Sequence, residues 1–525
     1  MGSPVSEPKV NIQLLPAAIV DAFADRRDLV VVQNKGGSAA DKELITDAHT
    51  LGRNDLIARI GAGHGYYCVQ SLLASSGSFS ELDILAVDPS GAGAAATATV
   101  TFSGAATAAG TLRFAFVDER LFTVNISVAI GDTATALGDK LVAAVTALAR
   151  PLVTAANASG VVTVTAADVG TIGNAYGLKT SGVVAGVSVA LAGFSGGAND
   201  PTLTDALDGL EGRRYTGLLW PENWNSALTV PTDFMDARFN AGNAILDGVV
   251  FHGSQATFAS NSAKVQPLNS QSLVIGGNDL VDTATSKGPA ILQPADFALA
   301  YFMGVRSRRL TPGAPVADFI VSTSGRLDAF GGPALASLPY FNTPLDRTPV
   351  TLPAEQYSAV EQAELEQRGL TVYGVNIANN AMIMGPVVTT WTTDAAGNEN
   401  PSFKYLNYVD TGSSCREIFW RTLRATFAQS RLTEGDLIAD RSIANDASIK
   451  AECLRIYRIL AGQALVQAGE EAEEFFNENT NVTINLATRS ASIAGPLAIV
   501  TQLGVINYAL QLTFTVGETG TQVVF

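Results

Sequence analysis

Charge is scarce in this chain. Only 16% of its 525 residues are Asp, Glu, Lys or Arg, against roughly a quarter in an ordinary soluble domain. Cysteine is limited to Cys68, Cys415 and Cys453, too few and too far apart for a disulfide framework or a paired metal knuckle. That scarcity fits assembly in a reduced cytoplasm. The three histidines, His49, His64 and His252, show no H-E-x-x-H spacing and no clustered carboxylates, so no metal and no cofactor are expected. No apolar run approaches the roughly 18 to 20 residues needed to cross a bilayer, which argues against membrane insertion. The stretch Met1 to Pro8 has neither the basic start nor the apolar segment of a secretory signal. A net charge of −16 without a long basic run argues against nucleic acid as a partner.

Apolar residues are plentiful at 47%, and the length implies two to four domains with sizeable cores. The predicted fold class is multidomain α/β (α+β): an α/β core with an inserted β-rich domain, a C-terminal α+β domain, and extended strand arms at both ends. The arm over residues 1–28 carries the alternation Val10, Ile12, Leu14, stopped by Pro16. The core, over 29–89 and 194–310, begins with a strand at Leu29 to Gln33, a helix at Gly65 to Ala74 and a strand at Leu82 to Val87. Between them, residues 90–193 are rich in Ala, Thr, Val and Gly. Strands are predicted there at Ala98 to Phe102, Thr111 to Val117, Phe122 to Val128 and Val161 to Thr165, with a helix at Thr135 to Ala149. This segment reads as a peripheral insertion, dispensable to the core fold. Asp200-Pro201 then predicts a capped helix over Thr202 to Leu210, followed by a strand at Thr216 to Trp220.

The C-terminal region, 311–503, has helical periodicity at Glu355 to Arg368, Ser413 to Gln429 and Asp446 to Gln467. Residues 504–525 form the last arm. There Tyr508, Leu510, Leu512, Phe514 and Val516 alternate with polar or small residues, as in a strand that completes its own sheet or lies on another chain's sheet edge.

Two motifs invite enzymatic readings. Gly193-Phe194-Ser195-Gly196-Gly197 matches the G-x-S-x-G pattern, which keeps an α/β serine hydrolase using Ser195 as a distant alternative, although Ala198 and Asn199 separate the serine from the next helix. Gly61-Ala62-Gly63-His64-Gly65 resembles a dinucleotide fingerprint, but its third glycine comes one residue early and Asn54 to Ile60 is a weak preceding strand. No catalytic residue is assigned. The glutamates at 470, 471, 473, 474 and 478 read as a solvated face, and Arg416, Arg421, Arg424, Arg455 and Arg458 as the polar side of two amphipathic helices.

Taken in order, four stretches resemble the sheath proteins of contractile phage tails, in particular the Mu-type branch. They are Asn11-Ile12-Gln13-Leu14-Leu15-Pro16; Arg59-Ile60-Gly61-Ala62-Gly63-His64-Gly65 before a helix; Phe194-Ser195-Gly196-Gly197-Ala198-Asn199-Asp200-Pro201; and Asn342-Thr343-Pro344-Leu345 with Val387-Val388-Thr389-Thr390-Trp391-Thr392. The Pro-Gly-Val-Tyr often found after the first is missing, and the last has Trp where Tyr is more usual. The resemblance implies a non-enzymatic homo-oligomer of six-fold rings stacked helically around a tail tube protein, with baseplate and tail terminator proteins as further partners. It also implies a virion location and terminal arms that pair onto neighbouring subunits. Similar sheaths serve phage-tail-like bacteriocins and injection machines.

Overall fold

The computed structural model describes residues 9–14, 27–77, 81–224, 227–238, 247–311, 338–350, 355–376, 381–434, 443–501, 511–514 and 521–524. After β1 (Lys9–Leu14) come β2 (Arg27–Gln33), β3 (Glu43–Ile45), α1 (Arg53–Ile60), α2 (His64–Ser76) and β4 (Glu81–Val87). The Ala- and Thr-rich stretch folds as β5 (Ala95–Gly104), β6 (Gly110–Phe116), β7 (Thr123–Val128), α3 (Ala134–Thr146), β8 (Val153–Ala158), β9 (Val161–Val169), β10 (Leu178–Ser181) and β11 (Val187–Ser195). The chain returns through β12 (Tyr215–Trp220), α4 (Thr229–Asp236), β13 (Val249–Gly253), α5 (Phe258–Val265), β14 (Leu273–Gly277), β15 (Leu280–Asp282), β16 (Ser286–Pro289) and α6 (Ala295–Leu310). Then follow α7 (Ala359–Gln367), β17 (Leu370–Asn376), β18 (Ala381–Met384), α8 (Leu406–Phe427), β19 (Arg431–Leu432), β20 (Ile443–Ala444), α9 (Asp446–Gly462) and α10 (Glu470–Asn479). Four strands end the chain: β21 (Asn481–Asn485), β22 (Ser490–Pro496), β23 (Gln511–Phe514) and β24 (Thr521–Val524). The fold class is mixed α/β, as the sequence predicts.

The largest sheet has eight strands in the order β18-β17-β14-β13-β12-β2-β4-β3. Its six central strands are parallel, and β12, β13 and β14 are buried at every residue. Such strands read as continuous apolar runs because helices cover both faces. Against this sheet α2 and α6 pack so closely that a Cβ on Gly304 would lie 2.2 Å from the Ser75 Oγ. The helix α6 is buried at almost every position, Arg308 being the exception.

Residues 95–195 build two antiparallel sheets, β11-β5-β9-β8 and β7-β6-β10-β16-β15. The alternating burial of β5 and β9 follows the period of two in their sequence. The second sheet recruits β15 and β16 from residues 280–289, outside the predicted insertion. One continuous apolar cluster includes Leu29 and Val32 of the large sheet together with Phe102, Phe114 and Leu137 of this region. The expectation of a peripheral, dispensable segment therefore meets a shared core.

A second cluster holds Cys415, Phe419 and Leu423 of α8 with Ile449, Cys453, Ile456 and Leu460 of α9, Phe476 of α10 and Ile493 of β22. The N-terminal part of α8, through Leu406 and Val409, belongs to the first cluster, so this helix joins the two. Capping explains two helix starts. Ser358 and Glu361 form a reciprocal capping box on α7, and Asn445 with Ser448 does the same on α9. Gly369, with φ of +92°, follows the last turn of α7 as a left-handed helix stop.

Three local expectations fail. Residues 204–209 form turns rather than a helix, because the Asp200 carboxylate accepts bonds from the Thr171 N–H (2.6 Å) and hydroxyl (2.7 Å) instead of capping its own downstream segment. The segment read as a weak strand at Asn54 to Ile60 is α1, whose Leu56 and Ile60 are buried at helical spacing. β17 and β18, from the region assigned to the C-terminal domain, complete the large sheet through the parallel pair β14–β17.

Candidate assembly surface

The three-stranded sheet has the order β1-β22-β21. β1 runs antiparallel to β22 over six residue pairs, from Lys9 opposite Pro496 to Leu14 opposite Ala491. Val10, Ile12 and Leu14 thus stand opposite Gly495, Ile493 and Ala491 of the same chain. On the far side, β21 packs Val482 and Ile484 against the second cluster and exposes Asn481, Thr483 and Asn485. Among the described residues no strand pairs with its outer edge. An open edge offers a row of N–H and C=O groups to another chain. Leu512 and Phe514 lie in β23, paired with β24 opposite Val523 and Thr521. Tyr508, Leu510 and Val516 fall outside the described residues.

Behind this sheet, α8 is fastened to the α/β core by buried ion pairs that periodicity could not reveal. The Arg306 guanidinium grips Asp410 with two bonds, Nε to Oδ2 at 2.9 Å and Nη2 to Oδ1 at 2.5 Å. The Tyr340 hydroxyl donates to the same carboxylate at 2.5 Å, and burial beside that carboxylate raises its pKa. Arg214 bonds Glu417 at 2.9 Å, and Arg416 pairs with Asp247. Burial, with Arg214 nearby, lowers the Arg416 pKa to about 9. Arg416 is thus buried, whereas the sequence reading had placed it on a polar surface. Arg421, Arg455 and Arg458 do lie towards solvent, pairing with Glu417, Glu452 and Glu473. Arg424 lies over the Trp420 ring, 5.0 Å from its centroid.

Strand order reverses between β2 and β12, the place where open α/β sheets usually receive a ligand beyond the carboxyl ends of their strands. Here the chain fills that place with itself. The first N–H of α2, on His64, donates to Asp168 Oδ2 at 2.9 Å, so a carboxylate from the insertion occupies the position an anionic ligand would take. Gly63 allows the approach, since a Cβ there would lie 2.4 Å from Asp168 Oδ1. The His64 ring meets Asp296 Oδ2 at 3.0 Å, and the same oxygen accepts the Glu222 N–H at 2.7 Å. Thr171 bonds the Asn223 carbonyl at 3.0 Å, and Lys35 reaches the Ala167 carbonyl. Burial, with Asp296 alongside, pushes the Glu222 carboxyl up to about 7.

The remaining motifs resolve into structure. The Gly61 to Gly65 turn joins two helices rather than a strand and a helix, so no dinucleotide fingerprint is formed. Ser195 is the exposed last residue of β11, and the chain continues into an Ala94–Ala198 bridge instead of a helix, so the nucleophile elbow is not formed either. All three cysteines are buried free thiols. His252 is buried, and burial lowers its pKa, whereas the His49 Nδ1 lies 3.4 Å from the Leu82 amide. Among the described residues no helix is long and apolar enough to cross a membrane.

Over 447 residues, 83% of this chain and 82% of its counterpart, the sequence is 23% identical to the Mu-like prophage FluMu tail sheath protein of Haemophilus influenzae. The chain is similar to a Mu-like tail sheath protein along most of its length. A match of 447 residues is far longer than any single motif. Among solved structures, the sheath tail protein of Desulfitobacterium hafniense superposes with a TM-score of 0.46 at 13% identity, covering 96% of this chain and 97% of that one. The sheath tail protein of Listeria innocua gives 0.45 at 12% identity, covering 97% of each chain. No family model matches the sequence.

Proposed function

We propose that this chain is the structural subunit of a contractile phage tail sheath. Copies stack as six-fold rings in a helical lattice around a tail tube, and the lattice shortens to drive the tube through the host envelope for genome delivery. The observation that carries the reading is the sequence similarity to a phage tail sheath protein over 447 residues. The subunits assemble in the host cytoplasm and end in the virion tail, between baseplate and terminator proteins.

The open edge of β21 is suited to the linking role. A C-terminal strand from one neighbour adds to β21, while β1 moves from its own β22 to that of another neighbour. Each backbone bond in such a ladder contributes about 0.5 to 1.5 kcal/mol net, so a few strands connect subunits while their bodies rotate. Contraction is then a passage from an extended lattice to one with better contacts, without nucleotide hydrolysis.

Negative-stain microscopy of the purified chain tests the proposal. Hollow striated tubes or stacked rings are expected; uniformly compact monomers at high concentration would refute it. A fluorophosphonate probe is expected to leave Ser195 unlabelled, and stoichiometric labelling would overturn the structural role.

A further inference from the structure

We propose that His64, Cys68 and Asp296 form a site for one divalent late transition-metal ion of the zinc or cobalt class. His64 and Cys68 are four residues apart on α2 and so share a face. Asp296 is the second residue of α6, the helix packed against α2. One donor atom from each residue lies within 4.8 Å of the other two, and the histidine and aspartate donors are 3.0 Å apart. The three side chains are 1%, 2% and 0% exposed. Nitrogen, sulfur and carboxylate oxygen together suit a borderline-soft ion rather than calcium or magnesium.

A second observation points to the same ion. Asp296 Oδ1 is buried and has no hydrogen-bond partner, and the same is true of Asp168 Oδ1. A buried carboxylate oxygen left without a donor is costly, and a cation removes the cost. Asp168, Glu222 and Asp296 all act on Cys68 electrostatically, so the pocket concentrates acidic groups around the donors. The free oxygen of Asp296 is available to complete the coordination.

The outer contacts are also in place. Tyr176 Oη stands 3.3 Å from His64 Nδ1. With Nε2 on the ion, Nδ1–H donates to that hydroxyl, the kind of second contact that orients a ligating imidazole. Binding removes the thiol proton of Cys68, while the imidazole hydrogen moves from Nε2 to Nδ1, so one proton leaves per ion bound. The ion would tie α2 to α6 beneath the insertion.

The test uses the full chain, stripped with a chelator and titrated with Co2+. A near-ultraviolet thiolate-to-cobalt band should grow until one equivalent is bound, Zn2+ should displace it, and either ion should raise the melting temperature. Cys68→Ser should abolish the band, and Asp296→Asn should weaken binding at least about tenfold, with circular dichroism checking that both variants fold. A wild-type chain that shows no band and no metal-dependent melting would overturn the proposal, leaving the trio as hydrogen-bonded core. A band that survives Cys68→Ser would overturn it equally.

Discussion

The eight-stranded and three-stranded sheets treat their edges in opposite ways. At one side of the large sheet, β18 is covered: Leu345 N–H bonds the Met382 carbonyl and Met384 N–H bonds the Thr343 carbonyl, both at 2.9 Å. At the other side β3 is only three residues long. Short and covered edges do not recruit partners. The small sheet does neither, since the five-residue β21 has an outer edge that no strand pairs with among the described residues, and β1 is held by its ladder to β22. One sheet is finished within the chain, whereas the other keeps an open edge among the described residues, which the proposed assembly would complete with another copy.

The sharpest way to break this comparison is to disturb the finished part. Replacing residues 90–193 by a Gly-Ser linker strips the Asp168 bond from α2 and exposes the apolar surface shared with the core. Aggregation in place of a cooperative melt is expected from calorimetry and light scattering; a soluble, cooperatively melting remainder would show that the shared core is not required.

Next in size is the link between the two sheets. Asp410→Ala leaves the Arg306 guanidinium buried without its carboxylate, which should cost about 3 to 5 kcal/mol by urea denaturation. A smaller, pH-dependent effect belongs to Glu222. Because its folded pKa is raised to about 7 from 4.5, the folded state holds the proton more tightly, and stability falls as pH rises from about 4.5 through about 7. Glu222→Gln should flatten that fall, by at most about 3 kcal/mol, read from melts across the range. Smallest is Arg458→Ala, which breaks only an exposed pair with Glu473 and should leave the melting temperature unchanged.

Local periodicity made much of the fold legible. The alternation in β5, β7 and β9 and the helical spacing in α3, α8 and α9 reflect side chains facing a core, which a sequence records directly. Partners distant in sequence leave no such trace. Nothing local tells that β16 will join β10, that β17 will extend the sheet at β14, or that Asp200 will bind Thr171 rather than start a helix. The candidate site was half legible. Val10, Ile12 and Leu14 do alternate along a strand, but the open edge of β21 depends on no described strand pairing with it, and the Arg306–Asp410 link joins residues 104 positions apart.

The central claim is that the open edge and the terminal strands connect copies without holding each copy together. Truncation after Gly504 tests both halves when sedimentation and circular dichroism are recorded on the same sample. A folded chain that no longer polymerises is the predicted result. Loss of the fold would mean that the last strands complete their own domain, and retained tubes would mean that they do not connect the lattice.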